Sequence, residues 1–301
     1  MAVDQSTRCG FVAVLGAPNV GKSTLINQIV GAKVSIVSPK VQTTRTRVLG
    51  IHIEGASQIV FIDTPGIFQP RRRLDRAMVA AAWGGAEDAD SVLLLVDAAK
   101  GLDANTRAIV ERLKKAGRPA VLVLNKVDLA RKPALLALAS DLNAGGTFTD
   151  TFMVSALTGD GVGDLVSHLA ERMREGPWHF PEDQISDMPQ RLLAAEITRE
   201  QLYRQLHEEL PYAATVETES WDERRDGSVR IDQVVFVERE SQRAIVLGKG
   251  GRRIRTLGEA ARIELEAIFD RRVHLFLFVK VRESWGDDPE RYRDWGLDFN
   301  A

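Results

Sequence analysis

The chain is 301 residues long, 44% hydrophobic and 27% charged, enough apolar content for two domains with their own cores, and this excludes the disordered and fibrous classes. A formal net charge of −2 excludes a uniformly basic surface, so any contact with nucleic acid has to come from a local patch of Lys and Arg. The single Cys9 cannot close an internal disulfide; it fits plain packing in a reducing compartment, with a reactive thiol as the other reading.

Met1 to Arg8 is polar, and the apolar run Phe11 to Leu15 is too short for a signal-peptide core or a membrane span. A cytoplasmic location is the expectation. His52, His168, His179, His207 and His274 are scattered without ligand spacing. From Cys9 to about Gly176, short β-branched apolar runs alternate with helix-length amphipathic stretches, the pattern of a largely parallel sheet covered on both faces. Strands are predicted at Phe11 to Leu15, Val48 to Ile53, Gln58 to Ile62, Ser91 to Val96, Pro119 to Leu124 and Thr151 to Val154. Helices are predicted at Lys22 to Val30, Leu74 to Trp83, Asp103 to Ala116, Pro133 to Asn143 and Gly163 to Arg174. The second and third strands, meeting at Gly55-Ala56, read as a hairpin with one antiparallel edge strand.

Between Gly176 and Pro189 there are three prolines and few aliphatic residues, and the alternation stops. A long helical pattern follows from Pro189 to Glu209, then strands at Ala214 to Ser220 and Val229 to Val237 around an Asp226-Gly227 turn. A short helix (Ser241 to Leu247), a glycine loop, a longer helix (Arg253 to Phe269) and a last strand (Val273 to Val281) complete a small α+β domain. The expected limits are 1–180 for the first domain, 181–189 for the linker and 190–301 for the second.

Gly16-Ala17-Pro18-Asn19-Val20-Gly21-Lys22-Ser23 fits G-x-x-x-x-G-K-[ST] and lies between a strand and a helix. Glycines let successive N–H groups turn inward around phosphates, and the helix N-terminus adds its positive dipole end. Lys22 would reach the β- and γ-phosphates and Ser23 would bind Mg²⁺, with Thr24 beside them as a further nucleotide-binding residue. Asp63-Thr64-Pro65-Gly66 follows the third strand; it is either an ordinary Asp-initiated turn or an acid and a glycine N–H facing a γ-phosphate. Asn125-Lys126-Val127-Asp128 follows the fifth strand, where a carboxylate can accept both N1–H and the exocyclic amine of guanine, a donor pair that adenine lacks. After the sixth strand, Ser155-Ala156-Leu157 could offer an N–H to the guanine O6.

These four stretches in this order resemble the G motifs of translation-factor-class GTPases, and the forms Gly-Ala-Pro-Asn-Val-Gly-Lys-Ser-Thr, Gln42-Thr43-Thr44-Arg45 and Asp-Thr-Pro-Gly-Ile are similar to the Era branch. The resemblance implies an α/β P-loop GTPase domain with a mixed, mostly parallel sheet. It further implies binding of GTP and GDP with Mg²⁺, with Lys22, Thr44 and Gly66 as the catalytic positions and Thr44 closing over the metal and the γ-phosphate beside Thr43. Position 67 is Ile, where the Ras-like pattern has a water-orienting Gln, so intrinsic hydrolysis is expected to be slow. In related enzymes with Pro-Asn in the phosphate loop the Asn coordinates K⁺, which makes Asn19 the candidate for a monovalent cation here.

Gly248-Lys249-Gly250-Gly251 fits the G-x-x-G clamp of a KH module, in which a tight turn between helices meets RNA phosphates; a plain helix–helix turn is the other reading. Arg243, Lys249, Arg252, Arg253 and Arg255 gather around it in a chain that is acidic overall. The element order matches a type II KH domain, and Val246 to Gly258 with Ala261-Arg262, His274-Leu275 and Val279-Lys280-Val281 is similar to the Era C-terminal domain, with Leu247 where the family tends to have Ile. The likeness spans nearly the whole chain. It implies a switch that binds 16S ribosomal RNA near its 3′ end and assists assembly of the small (30S) subunit. It implies further a monomer, with at most peripheral contact with the inner membrane, although no lipid anchor or basic amphipathic helix supports the latter. A different class of reading is an RNA-binding assembly factor that keeps GTP as a structural ligand. A third is a sister assembly GTPase whose KH-like domain has lost RNA contact, against which the intact glycine loop and its arginines stand.

Overall fold

The structure is a computed structural model and describes residues 6–40, 43–206 and 210–301. Gln42 of the Gln-Thr-Thr-Arg segment, and the His207 to Glu209 end of the long helical pattern, lie outside the described residues. The chain forms two compact units, one built from Met1–Ser35, Thr44–Asp187 and Arg293–Ala301 and the other from Ile36–Thr43 and Met188–Tyr292.

The first unit alternates β1 (Arg8–Gly16), α1 (Lys22–Val30), β2 (Val48–Glu54), β3 (Ser57–Asp63), α2 (Arg73–Asp88), β4 (Ser91–Asp97), α3 (Ala104–Lys115), β5 (Ala120–Asn125), α4 (Lys132–Asn143), β6 (Phe148–Val154), α5 (Val162–Arg172) and a short β7 (Arg174–Glu175). The sheet order is β2-β3-β1-β4-β5-β6, with β7 pairing β1. The pairs of β1 with β3 and β4, of β4 with β5 and of β5 with β6 are parallel, while β2 runs antiparallel to β3 as the hairpin requires. Period-two alternation divides the strands between two cores: Ala13 and Leu15 of β1 pack in one apolar cluster, Val12 and Val14 in the other, on opposite faces. Both faces are covered, and so β3 and β4 read as near-continuous apolar runs. Cys9 is buried in the first of these clusters. The parallel strands end together at Gly16, Asp63, Asp97, Asn125 and Val154, the edge where ligands bind in sheets of this kind.

The second unit holds α6 (Gln190–Gln205), β8 (Ala214–Glu223), β9 (Val229–Val237), α7 (Glu240–Leu247), α8 (Arg252–Phe269), β10 (Val273–Val281) and α9 (Pro289–Asp294), whose last two residues fall with the first unit. The sheet order is β10-β9-β8, with β8 antiparallel and β10 parallel to β9. Val235 and Val237 of β9 meet Ala195 and Leu202 of α6, Val246 of α7 and Leu257 of α8 in one apolar cluster, so the three helices cover one face.

The units divide differently from the expected 180/190 limits in three places. Residues 181–187 do not behave as a free linker: the Ile51 N–H donates to Ile185 O at 2.9 Å, and the Leu49 N–H to Asp187 Oδ1 at 3.0 Å, so they cover the β2 edge. The last residues return to the first unit, where Leu297 is buried, Trp295 lies 5.9 Å from the Arg45 guanidinium and Phe299 lies 4.3 Å from that of Arg73. Third, Ile36–Thr43 is cut out of the first unit and packs with the second. Among the described residues no helix is long and apolar enough to cross a membrane.

Candidate functional site

The phosphate loop follows β1 directly and ends where α1 starts. Gly21 has φ 102°, and a Cβ there would stand 2.2 Å from Asn125 Nδ2, so only glycine fits. Asn19 takes left-handed backbone at φ 62°. Lys22 is buried, and its ammonium donates to Gly16 O and Ala17 O, both at 3.2 Å. Burial pulls its pKa down to about 8, with the Asp63 carboxylate opposing.

Four oxygen-bearing side chains meet beside it. Ser23 Oγ lies 3.0 Å from Thr44 Oγ1 and donates to Asp63 Oδ2 at 2.7 Å; Thr44 Oγ1 donates to the same oxygen at 3.3 Å and Ser35 Oγ at 2.6 Å. Burial pushes the Asp63 carboxyl up, while the hydroxyls of Ser35 and Ser23, the Lys22 charge and Thr44 pull against it. Its other oxygen, Oδ1, is buried without a hydrogen-bond partner. Hard oxygen donors around an orphaned carboxylate oxygen are the chemistry that suits Mg²⁺, so the residues present fit the expected metal. Thr64 Oγ1 is turned away, donating to Val14 O at 2.6 Å. Ile67 lies beneath the loop, its N–H on Gly16 O at 3.0 Å and its side chain in the apolar core, which leaves no polar group at that position to orient water.

The base-side motifs are braced against the phosphate loop. Asn125 donates to Val20 O at 2.7 Å and accepts the Ala156 N–H at 2.9 Å, and Lys126 Nζ donates to Asn19 O at 2.7 Å. Asn125 and Lys126 therefore hold three motifs in register, and Asp128, in a 3-10 turn (Val127–Leu129), is exposed. Ser155 and Ala156 are buried, and Leu157 is exposed. Sequence reasoning missed two members. Asp97 ends β4 and takes the Lys126 ammonium at 2.6 Å; as another acid at a strand end it carried a readable signal. Ser35 carried none, because Asn27 brings it in by bonding the Ser35 N–H and carbonyl at 3.0 and 2.7 Å.

The second glycine loop joins α7 to α8. Gly248, Gly250 and Gly251 have positive φ of 69°, 60° and 72°, values that side chains disfavour. Gly248, Lys249, Arg252 and Arg253 line a cavity of about 360 Å³ with two residues that sequence reasoning missed, Gln205 and Thr256. Arg253 is partly committed to Ile245 O at 2.9 Å, and Arg243 pairs with Glu240 at 3.3 Å. Arg255 lines a neighbouring groove of about 400 Å³ with Ile254, Gly258, Arg262, Leu275 and Phe276. Phe276 is 43% exposed, an aromatic surface of the kind on which bases stack. Lys249→Asp is expected to weaken binding of single-stranded RNA by about tenfold or more and to lower the salt slope by roughly 0.7, with GTP hydrolysis by the protein alone near normal. A titration at several salt concentrations that shows unchanged affinity would remove the clamp assignment.

Residues 11–126 match the model of the 50S ribosome-binding GTPase family and residues 209–286 the KH domain model. The GTPase Era proteins of Rhizobium meliloti (strain 1021) and Brucella suis biovar 1 (strain 1330) are each 63% identical over 293 residues, which cover 97% of this chain and 94% of each relative. A crystal structure of Era in complex with MgGDPNP and nucleotides 1506–1542 of 16S ribosomal RNA is 38% identical with a TM-score of 0.91, covering 96% of this chain and 99% of that one. One of Aquifex aeolicus Era bound to GDP and AlF4⁻ matches with the same TM-score and identity. With its G motifs gathered at one sheet edge and its glycine loop between two KH helices, the chain belongs to the Era family of GTPases.

Proposed function

We propose that the protein is a GTP-driven switch that binds 16S ribosomal RNA near its 3′ end and assists assembly of the 30S subunit. The observation that carries the switch is Thr44, whose hydroxyl stands within hydrogen-bond reach of both Ser23 and Asp63, so a residue from a loop outside the sheet completes the metal and phosphate cluster. Support for the RNA comes from the glycine-loop cavity with its basic lining and from the related Era, whose complex contains that stretch of 16S RNA.

Hydrolysis requires water to attack the γ-phosphorus in line with the departing β-phosphate oxygen. Lys22 binds the phosphates as a positive charge held on a buried stem, and the loop N–H groups with the α1 terminus share that task. Ser23 and Thr44 would hold Mg²⁺ with Asp63 behind them, and the ion when bound neutralises charge on the β- and γ-phosphates. Gly66 offers its backbone N–H toward the γ-phosphate, and Asn19 is the residue proposed to hold K⁺. Because Ile67 is sealed in the core, catalysis rests on positioning and electrostatics, and the intrinsic rate is slow. Single-turnover GTP hydrolysis, with and without 30S subunits and in K⁺ and Na⁺ buffers of equal ionic strength, tests this. Product formation faster in K⁺ and faster with subunits is expected. No product in either case would favour GTP as a structural ligand, a reading that the burial of Ile67 also suits, and equal rates in the two salts would remove K⁺.

A further inference from the structure

The chain passes between the two compact units at four places, and one of them is the peptide bond between Thr43 and Thr44. Thr44 is on the metal and phosphate side. Thr43 belongs to the second unit, and so does the described chain that precedes it back to Ile36. Ile36 is 2% exposed and sits in the apolar cluster formed by Ala194 and Ile197 of α6, Ile231 of β9 and Leu265 of α8. The Val37 N–H donates to Glu200 Oε1 at 3.3 Å, and Lys40 Nζ donates to the carbonyl of Leu206 just beyond α6. At the far end, Arg199 of α6 donates from Nη2 to Thr43 O at 2.5 Å.

Arg199 is built to hold one orientation. It is 1% exposed, its Nε donates to Glu196 Oε1 at 2.7 Å, and Nη2 pairs with the other oxygen of the same carboxylate. The Tyr203 ring lies 5.2 Å from the guanidinium. A two-point fork fixes the plane of the guanidinium, and a buried ion pair contributes little net stability compared with apolar packing of similar volume. What this pair supplies is direction. Nη2 is aimed at a carbonyl one planar peptide away from the Thr44 Cα, and a planar peptide carries a shift of one residue to the next.

We infer that Arg199 is a positioning residue for Thr44: through the Thr43 carbonyl, helix α6 of the KH unit stabilises the arrangement in which the Thr44 hydroxyl reaches the γ-phosphate cluster, and it senses when that arrangement is lost. This rests on the GTP-switch reading above and goes beyond it by naming the residue of the KH unit that reads the nucleotide state. By linkage, a contact that favours the triphosphate arrangement of Thr44 raises affinity for triphosphate over diphosphate, and triphosphate strengthens the contact in return.

The test compares mant-GppNHp and mant-GDP binding to the full chain with Mg²⁺ by fluorescence titration, for wild type, Arg199→Met and Arg199→Lys, with thermal unfolding followed alongside. Arg199→Lys keeps a cation against Glu196 but loses the planar two-point fork that holds Nη2 on Thr43 O, so it decides the matter if Arg199→Met fails to fold. Loss of a charge-assisted hydrogen bond predicts GppNHp affinity lower by about tenfold, with GDP affinity within about twofold of wild type. A purely structural role would weaken both nucleotides alike or neither. An unchanged GppNHp-to-GDP ratio in a folded Arg199→Lys overturns the inference and leaves the switch reading standing. A wild type that binds neither nucleotide overturns both.

Discussion

Lys22→Ala is expected to lower guanine-nucleotide affinity by more than about a hundredfold and to leave no measurable turnover. Its ammonium lies within the phosphate loop, donating to Gly16 O and Ala17 O, and it is 6% exposed. Burial has already weakened its hold on the proton, to a pKa of about 8, and a phosphate chain in place of those carbonyls would favour the charged form again. Truncation removes the one side-chain cation that the loop itself carries, at a place shielded from solvent where a charge-assisted contact contributes about 1.5–3 kcal/mol or more. Isothermal titration with GDP and GTP measures the loss. The fold should survive, because the backbone turn is set by Gly21 and braced by Asn125 on Val20 O. A variant that unfolded instead would assign Lys22 a structural role.

Asp128→Asn is expected to invert base choice, lowering GTP affinity by roughly a hundredfold and favouring xanthosine triphosphate. A carboxylate accepts two hydrogen bonds from the guanine edge; the amide keeps one acceptor and presents a donor where guanine also donates. Xanthine carries an oxygen at that position, so the mismatch is relieved. The neighbours are not free for this role: Asn125 and Lys126 spend their polar atoms on Val20, Ala156, Asn19 and Asp97, while Asp128 is exposed. Competition of GTP and XTP against mant-GDP reads the switch directly. Retained preference for guanine would place base recognition elsewhere, with Ser155-Ala156-Leu157 as the next place to look.

Much of this site was legible because its motifs sit at ends of strands whose apolar runs are bounded by turns. α1 at Lys22–Val30, β9 at Val229–Val237 and β10 at Val273–Val281 match the predicted limits residue for residue. What stayed hidden depends on contacts distant in sequence. Arg199 and Glu200 carry no motif and lie within a helical pattern with no clear apolar face, yet α6 is buried nearly all round through its second half and both are within its packing. Ile36 lies in a loop with no periodicity, so nothing local marks it as core of the other unit. Asp-Trp-Gly-Leu-Asp-Phe near the C-terminus is too short and irregular to show a face, and its return to Arg45 and Arg73 emerges only in three dimensions.

In the proposed switch, one chain couples a γ-phosphate sensor to an RNA grip. Thr44 and the Gly248 loop belong to different units, so coupling has to appear as a difference in RNA affinity between nucleotide states. Fluorescence anisotropy of a labelled oligonucleotide carrying the 3′-terminal sequence of 16S ribosomal RNA, titrated with the full chain in Mg·GppNHp and in Mg·GDP at one salt concentration, measures that difference. A coupling of about 1–3 kcal/mol predicts tighter binding in GppNHp by roughly 5- to 150-fold. Equal affinities in the two nucleotides would contradict the switch, whatever the strength of RNA binding itself.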